Sequence, residues 1–260
     1  MNFSGKVAIV TGGGSGIGRA TAERLAKGGA SVIIVDLDEG RVAKAVAELT
    51  EAHGAKVEGL VADVSQEASA EIMVKRAVEG FGRLDILVNA AGIHHTGDIG
   101  DVSLDDWNRL IATNLTSMFL TCRAAIPAMT ALKSGSIVNL GSVSSFVGQE
   151  MQGTSSFVYN VTKAGIRQLT TSLATRHARD GIRVNCVCPG AVRTRMSLSE
   201  EQEAIPPMRE AILAAMAEGH PMARVADADE IAAAIAFLAS DDASFITGTA
   251  MPVDGGYLAR

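Results

Sequence analysis

The chain predicts an α/β fold, a parallel sheet with helices wound on both of its faces. Three observations carry that prediction. Short β-branched runs alternate with apolar-periodic stretches of helical length, the pattern of right-handed strand–helix–strand crossovers. A glycine-rich turn sits between the first strand and the first helix. Polar residues (Asp36, Asp63, Asn89, Ser142) fall where strands end, and ligands bind along that edge of an open α/β sheet.

The elements follow in order. Val7 to Val10 is a buried strand, and Thr11-Gly-Gly-Gly-Ser-Gly-Ile-Gly18 follows it, with a helix from Arg19 to Lys27. Gly12 suits the tight turn, Gly16 a close approach to a pyrophosphate, and Gly18 the packing of helix on strand. The helix N-terminus offers free N–H groups and partial positive charge to an anion. Ser31 to Val35 is a second strand ending at Asp36, whose carboxylate can accept from both ribose hydroxyls and would repel a 2′-phosphate. No basic residue replaces Ser15 or Leu37, so the charge argument favours NAD over NADP. Helix 41–53, strand Val57–Val61, helix Gln66–Phe81 and strand Leu84–Val88 come next. A helix from Trp107 to about Met129 carries Asn114 in its interior, where an amide competes for backbone groups. Gly135 to Ser142 gives a fifth strand, Gly181 to Cys188 a sixth, and Thr249 to Val253 a last one, with a helix from Asp227 to Ser240 between them.

Tyr159 opens another helix, reaching about Arg179, and Lys163 lies four residues on, on the same face. A free phenol titrates near ~10. An ammonium about 4 Å away contributes roughly 4 kcal/mol at an effective dielectric near 20, enough to bring the phenol toward neutral working range.

Composition bounds the rest. The 260 residues, 47% hydrophobic and 20% charged, fit one domain (1–260) with a large core and exclude disorder. A net charge of −6 argues against a nucleic-acid binder. Cys122, Cys186 and Cys188 are odd in number and suggest a reducing, cytoplasmic compartment without disulfides. Cys186 and Cys188 lack a second pair at zinc spacing, so core packing is expected and no metal. The N-terminus lacks a signal-peptide apolar core, and no uninterrupted apolar run reaches transmembrane length, so no membrane partner is expected.

Thr11-Gly-x-x-x-Gly-x-Gly18, Asp63, Asn89-Ala-Ala-Gly92, Asn114, Ser142, Tyr159-x-x-x-Lys163 and Pro189-Gly190 stand in sequence at sensible separations. From Lys6 to Tyr257 the chain resembles the short-chain dehydrogenase/reductase family. The resemblance implies a Rossmann-like doubly wound sheet of seven parallel strands. It implies cofactor contacts from Gly12, Ser15, Gly16, Ile17, Gly18, Asp36, Asp63, Val64, Asn89 (bracing the central strands), Ala91, Gly92, Tyr159, Lys163, Val192 and Thr194. Asn114 would hold a water in a proton relay to Lys163, Ser142 would bind the substrate oxygen, Tyr159 would be the acid/base, and Lys163 would bind the nicotinamide ribose and lower the tyrosine pKa. The family's tetramer contacts imply a homotetramer.

Two departures stand out. Asn-Ala-Ala-Gly replaces Asn-Asn-Ala-Gly, and seventeen residues separate Ser142 from Tyr159, a few more than the family shows. The extra length, Gly148-Gln-Glu-Met-Gln-Gly153, would hang over the substrate side, and Ser144, Ser145, Ser155 and Ser156 are rivals for the serine role. His94 and His95 form a loop at the cleft mouth. His94, Gln149, Glu150 and Met196 are candidate substrate contacts, with Gln152, Leu198, Ile205 and Met208 as further wall residues. The stretch from about 195 to 222 is a substrate loop, or alternatively a core-packing helix pair. The expected activity is hydride transfer between NAD(H) and a secondary alcohol or ketone; alternatives are an NAD sensor without turnover and a dehydratase or epimerase on the same scaffold.

Overall fold

The structure, a computed structural model, describes residues 1–151, 154–197 and 200–260. Seven strands form one parallel sheet: β1 (Val7–Thr11), β2 (Ser31–Asp36), β3 (Val57–Val61), β4 (Ile86–Asn89), β5 (Gly135–Leu140), β6 (Ile182–Pro189) and β7 (Ala250–Val253). Their order is β7-β6-β5-β4-β1-β2-β3. The chain winds outward from β1 to β3, then returns to place β4 on the other side of β1. That reversal between β1 and β4 opens a crevice at the strand C-termini, where such sheets bind ligands.

The central strands β1, β2 and β4 are apolar for most of their length because both faces are covered, whereas the edge strand β3 carries exposed Glu58 and Val61, and β5 and β6 carry Asn139, Arg183 and Asn185. In β1, Ala8 and Val10 turn to one core with α1 (Gly16–Lys27), α2 (Glu39–His53) and the late helix Ala228–Ala239. Val7 and Ile9 turn to the other, filled by α3 (Glu67–Phe81), α4 (Leu104–Leu132) and α5 (Phe157–His177). The doubly wound α/β class expected from the alternation is the one found. Boundaries differ by a few residues. Helix α1 begins at Gly16, inside the glycine turn, because Gly16 and Gly18 can enter the first helical turn close to β1. Helix α4 begins at Leu104, capped by Ser103, whose hydroxyl accepts from Asp106 N. By length and composition α4 is apolar enough to cross a membrane. Asp105, Asp106, Arg109 and Arg123 interrupt its apolar run, and Leu110, Met118, Cys122, Ala125 and Met129 bury one face of it.

A polar relay crosses the sheet centre. Asn89 Nδ2 donates to Asn139 Oδ1 (2.9 Å), Asn139 Nδ2 donates to Thr170 Oγ1 (2.9 Å), and Thr121 Oγ1 donates to Asn89 Oδ1 (2.8 Å). These side chains are almost wholly buried, so each amide needs its partner. Asn139→Leu would leave an Asn89 N–H without its oxygen and should cost about 1–3 kcal/mol in urea unfolding. Wild-type stability in that variant would show the relay to be dispensable.

Candidate active site

The glycine turn shapes the first wall of the crevice. Gly12 has φ +65°, and a Cβ there would lie 2.9 Å from the Ala91 backbone. A Cβ on Gly18 would lie 2.2 Å from the Gly12 carbonyl oxygen, so only glycine lets α1 close on β1. Gly16 (φ +52°) faces the methyl group of Thr194 across the crevice. Ser15 is the N-cap of α1 but, among the described residues, makes no side-chain capping bond; the first-turn N–H groups lack that acceptor. Ile17 packs on the core below. Thr11, which sequence reasoning passed over, steadies the facing loop, its hydroxyl accepting from Ala90 N (3.2 Å) and Ala91 N (3.3 Å).

Asp36 ends β2 against this turn. Its Oδ2 accepts from Gly14 N (3.1 Å) and its Oδ1 from Asp38 N (3.2 Å). The first turn of α2 brings Arg41 beside Gly14, a cation the sequence reading did not weigh; its guanidinium pairs with Asp38 at 3.2 Å. Asp63 lies exposed past the end of β3. Burial is the largest single influence and raises its carboxyl, but the hydrogen bonds from Ser65 and Gln66 together outweigh it and hold the group below the usual range. The Val64 side chain belongs to the core on the α3 face. The Asn89 side chain is committed to the relay and does not line the crevice; the adjoining Ala91 and Gly92 do run beside it, Gly92 between Asn114 and Lys163.

Asn114 lies in a π-helical turn, Ile111–Thr116, within α4. Such turns reorient backbone at functional sites. Its side chain is fully buried and clasps Ile93, accepting from Ile93 N (2.8 Å) and donating to Ile93 O (2.9 Å). It also donates to Thr162 Oγ1 (3.3 Å). Both amide hydrogens are therefore engaged with protein, while Oδ1 keeps a second lone pair.

Ser142 follows β5 directly and is buried. Its hydroxyl accepts from Ser144 N (3.1 Å), which fixes the oxygen. Ser144 and Gln149 bond each other through their side chains, and Ser156 Oγ lies 3.3 Å from His94 Nε2. Of the serines near Tyr159, Ser142 is the one whose side chain lowers the pKa of its phenol. Tyr159 and Lys163 share a face of α5, with the Lys163 Nζ 5.4 Å from the ring centre. The expected lowering of the phenol is not found. Burial pushes Tyr159 up to about 12; the Ser142 hydrogen bond pulls it down without overcoming that. Burial likewise drives Lys163 down to about 8, and its ammonium points at the Leu140 carbonyl, 2.7 Å away. Desolvation thus outweighs the pair attraction inferred from spacing.

On the substrate side, His94 meets Tyr159 edge-on with ring centres 4.8 Å apart. Burial first, then His95 and Lys163, lower its pKa, so the ring is neutral at pH 7. The insert forms a short hairpin in which Glu150–Met151 pairs with Thr154–Ser155. The Gln149 carbonyl accepts from Ser156 N (3.1 Å) and Asn160 Nδ2 (3.3 Å), tying the insert to α5. Glu150 and Met196 are exposed, and Gln152, Gly153 and Leu198 lie outside the described residues. Val192 is buried in a strand pair with Ala226. Ser197, missed in the sequence, pins this segment: its hydroxyl donates toward Val192 O (2.7 Å) and Thr194 O (2.9 Å) and accepts from Thr194 N (3.0 Å). Beyond it lie α6 (Glu200–Ala204) and α7 (Pro206–Glu218); α8 is Ala228–Ala239. No described residue of α7 is buried, so the stretch is a surface helix and not the core-packing alternative.

Comparison with known proteins agrees with this geometry. A family model described as enoyl-(acyl carrier protein) reductase matches residues 12–258. The oxidoreductase UcpA of Escherichia coli (strain K12) is 41% identical over 254 residues, covering 98% of this chain and 95% of that protein. The meso-2,3-butanediol dehydrogenase of Serratia marcescens is 37% identical, covering 100% of this chain and 97% of that protein. The crystal structure of levodione reductase superposes with a TM-score of 0.91 at 36% identity, covering 99% of each chain. With this sheet order, the glycine turn and the Ser142–Tyr159–Lys163 grouping, the chain is a member of the short-chain dehydrogenase/reductase family of oxidoreductases.

Proposed function

We propose that this oxidoreductase is NAD-dependent and moves a hydride between NAD(H) and a secondary alcohol or ketone, with Tyr159 as acid/base. One observation carries the reading: Ser142, Tyr159, Lys163 and Asn114 gather at the crevice whose opposite wall is the glycine turn and Asp36. A dinucleotide fits that wall. Its pyrophosphate would meet the uncapped N-terminus of α1, its ribose Asp36, its adenine the Asp63–Val64 region, and its nicotinamide end Val192 and Thr194. When bound, the nicotinamide accepts or gives the hydride.

The chain's own residues handle the proton. Ser142 Oγ, already accepting from Ser144 N, has its O–H to offer to a substrate oxygen or to the Tyr159 phenol. Tyr159 takes the hydroxyl proton in oxidation and returns it in reduction. Lys163, protonated at neutral pH, supplies positive charge beside the site and can donate to a ribose hydroxyl in place of the Leu140 carbonyl. The Asn114 clasp holds Ile93 and Thr162, and the Thr162 hydroxyl donates to Tyr159 O at 2.7 Å, so both walls of the reacting pocket share one support.

The relatives' names support the substrate class, since one is named for a diol and one for a dione. His94, with Ser156 behind it and Gln149 held by Ser144, gives the pocket polar groups for a second substrate oxygen. Phe119 on α4 and Val161 on α5 remain exposed, which supports the homotetramer read from the sequence.

Tyr159→Phe should lower kcat by about 10²–10⁴-fold with NADH binding kept. An unchanged rate of NADH formation would remove Tyr159 from the chemistry. The ratio of kcat/KM for NAD over NADP should exceed one and fall in Asp36→Asn, because the repulsion of a 2′-phosphate goes with the charge. A wild-type preference for NADP would shift the assignment to Arg41. Because the phenol retains its proton to about 12, alcohol oxidation should accelerate as pH rises through the alkaline range, while ketone reduction needs no such rise. A flat oxidation profile would count against Tyr159 as the base.

A further inference from the structure

His220 is a buried titratable side chain that the reaction above does not use. It follows α7 and is 9% exposed. Its Nδ1 lies 3.0 Å from the Met216 carbonyl oxygen and its Nε2 lies 3.0 Å from the Ala191 nitrogen. A carbonyl only accepts and a backbone N–H only donates. Both contacts are therefore satisfied by one form alone, the neutral ring with its proton on Nδ1. The ring packs on Tyr257, with centres 5.1 Å apart. Gly190 makes room for it, since a Cβ there would lie 2.6 Å from Nε2.

The imidazole thus joins three segments. One is the turn after β6, where Gly190 N donates to Val253 O and Ala191 O accepts from Ala226 N. Another is the surface helix α7. The third is the C-terminal turn Tyr257–Ala259. The first leads within three residues of Ala191 to Thr194, which faces Gly16 across the crevice.

We propose that His220 is a positioning residue that ties α7 to the nicotinamide-side turn, and that protonation of its ring releases the tie. The proposal rests on the dinucleotide reading of the crevice. A protonated ring presents an Nε2–H to the Ala191 N–H, donor against donor, and that hydrogen bond cannot form. The charged and titratable groups around the ring have mixed sign. Tyr257 and Arg260, the latter's guanidinium 5.3 Å from the Tyr257 ring centre, come from the C-terminal turn. Asp254 comes from the loop after β7, its carboxylate accepting from Gly256 N and Leu258 N. Glu218 is exposed at the end of α7. None of these replaces the acceptor that Ala191 N–H loses.

The test is NADH binding to the full chain, followed by fluorescence titration from acid to mildly alkaline pH, for wild type, His220→Phe and His220→Gln. Wild-type affinity should weaken about tenfold on the acid side, the size of one lost hydrogen bond. His220→Phe keeps the ring against Tyr257 without either hydrogen bond, and should bind weakly at every pH. His220→Gln can still offer an oxygen to Ala191 N–H, and should recover most of the affinity with a flat profile. If His220→Phe fails to fold, the His220→Gln profile decides alone. An acid-side loss that persists in His220→Gln, or a wild-type profile already flat, overturns the proposal. A wild type that binds no NADH at any pH removes the dinucleotide reading and this inference with it, whereas normal binding with an unaffected His220→Phe removes only the latter.

Discussion

The site depends on one buried clasp, the Asn114 carboxamide closed on both backbone groups of Ile93. The residues proposed for catalysis stand on or beside the three segments it joins. Ile93 continues the loop from β4 that passes Lys163; Thr162 sits between Tyr159 and Lys163 on α5; Asn114 itself is set by the π turn of α4. A regular α-helix would turn the side chain at 114 to a different direction, because a π turn widens the ring of backbone atoms by one residue. The clasp commits both amide hydrogens of Asn114 to protein partners.

Much of this was legible in the sequence, and for identifiable reasons. Strands β1, β2 and β4 announced themselves as nearly continuous apolar runs because both faces of the sheet are covered there. The glycines were legible because their freedom is needed locally: Gly12 at a positive φ, Gly18 against the carbonyl of Gly12 in the same turn. Asp36 and Tyr159-x-x-x-Lys163 were legible because their geometry comes from one strand end and one helix face. What escaped has no local signature. Thr11 and Thr162 act through partners far along the chain, and Ser197 and Arg41 through contacts that only the folded turns set up. His220 sits in a stretch that reads as a substrate loop or a core-packing helix pair.

The protonation states were the least legible feature. Spacing on α5 supplies a distance between phenol and ammonium, and a distance supplies an attraction. It says nothing of how much water surrounds either group. Here the solvent term dominates: burial raises the phenol and lowers the ammonium, both toward their neutral forms. A phenol held protonated at neutral pH is poised to donate a proton, the part that the proposed ketone reduction asks of it.

The two walls of the crevice are built to different standards. The wall made by α1, β1 and the Ala90–Gly92 loop is fixed by contacts that tolerate almost no displacement, since even one methyl group at Gly12 or Gly18 would collide with backbone. The other wall includes Pro189 to Ser197, and side-chain hydrogen bonds from Ser197 and His220 and a two-residue strand pair contribute to its support. Hydrogen bonds of that kind each contribute about 1 kcal/mol. On the proposed dinucleotide reading, the phosphates and ribose meet the wall whose backbone contacts leave no room for a side chain, and that wall serves as the template for the cofactor.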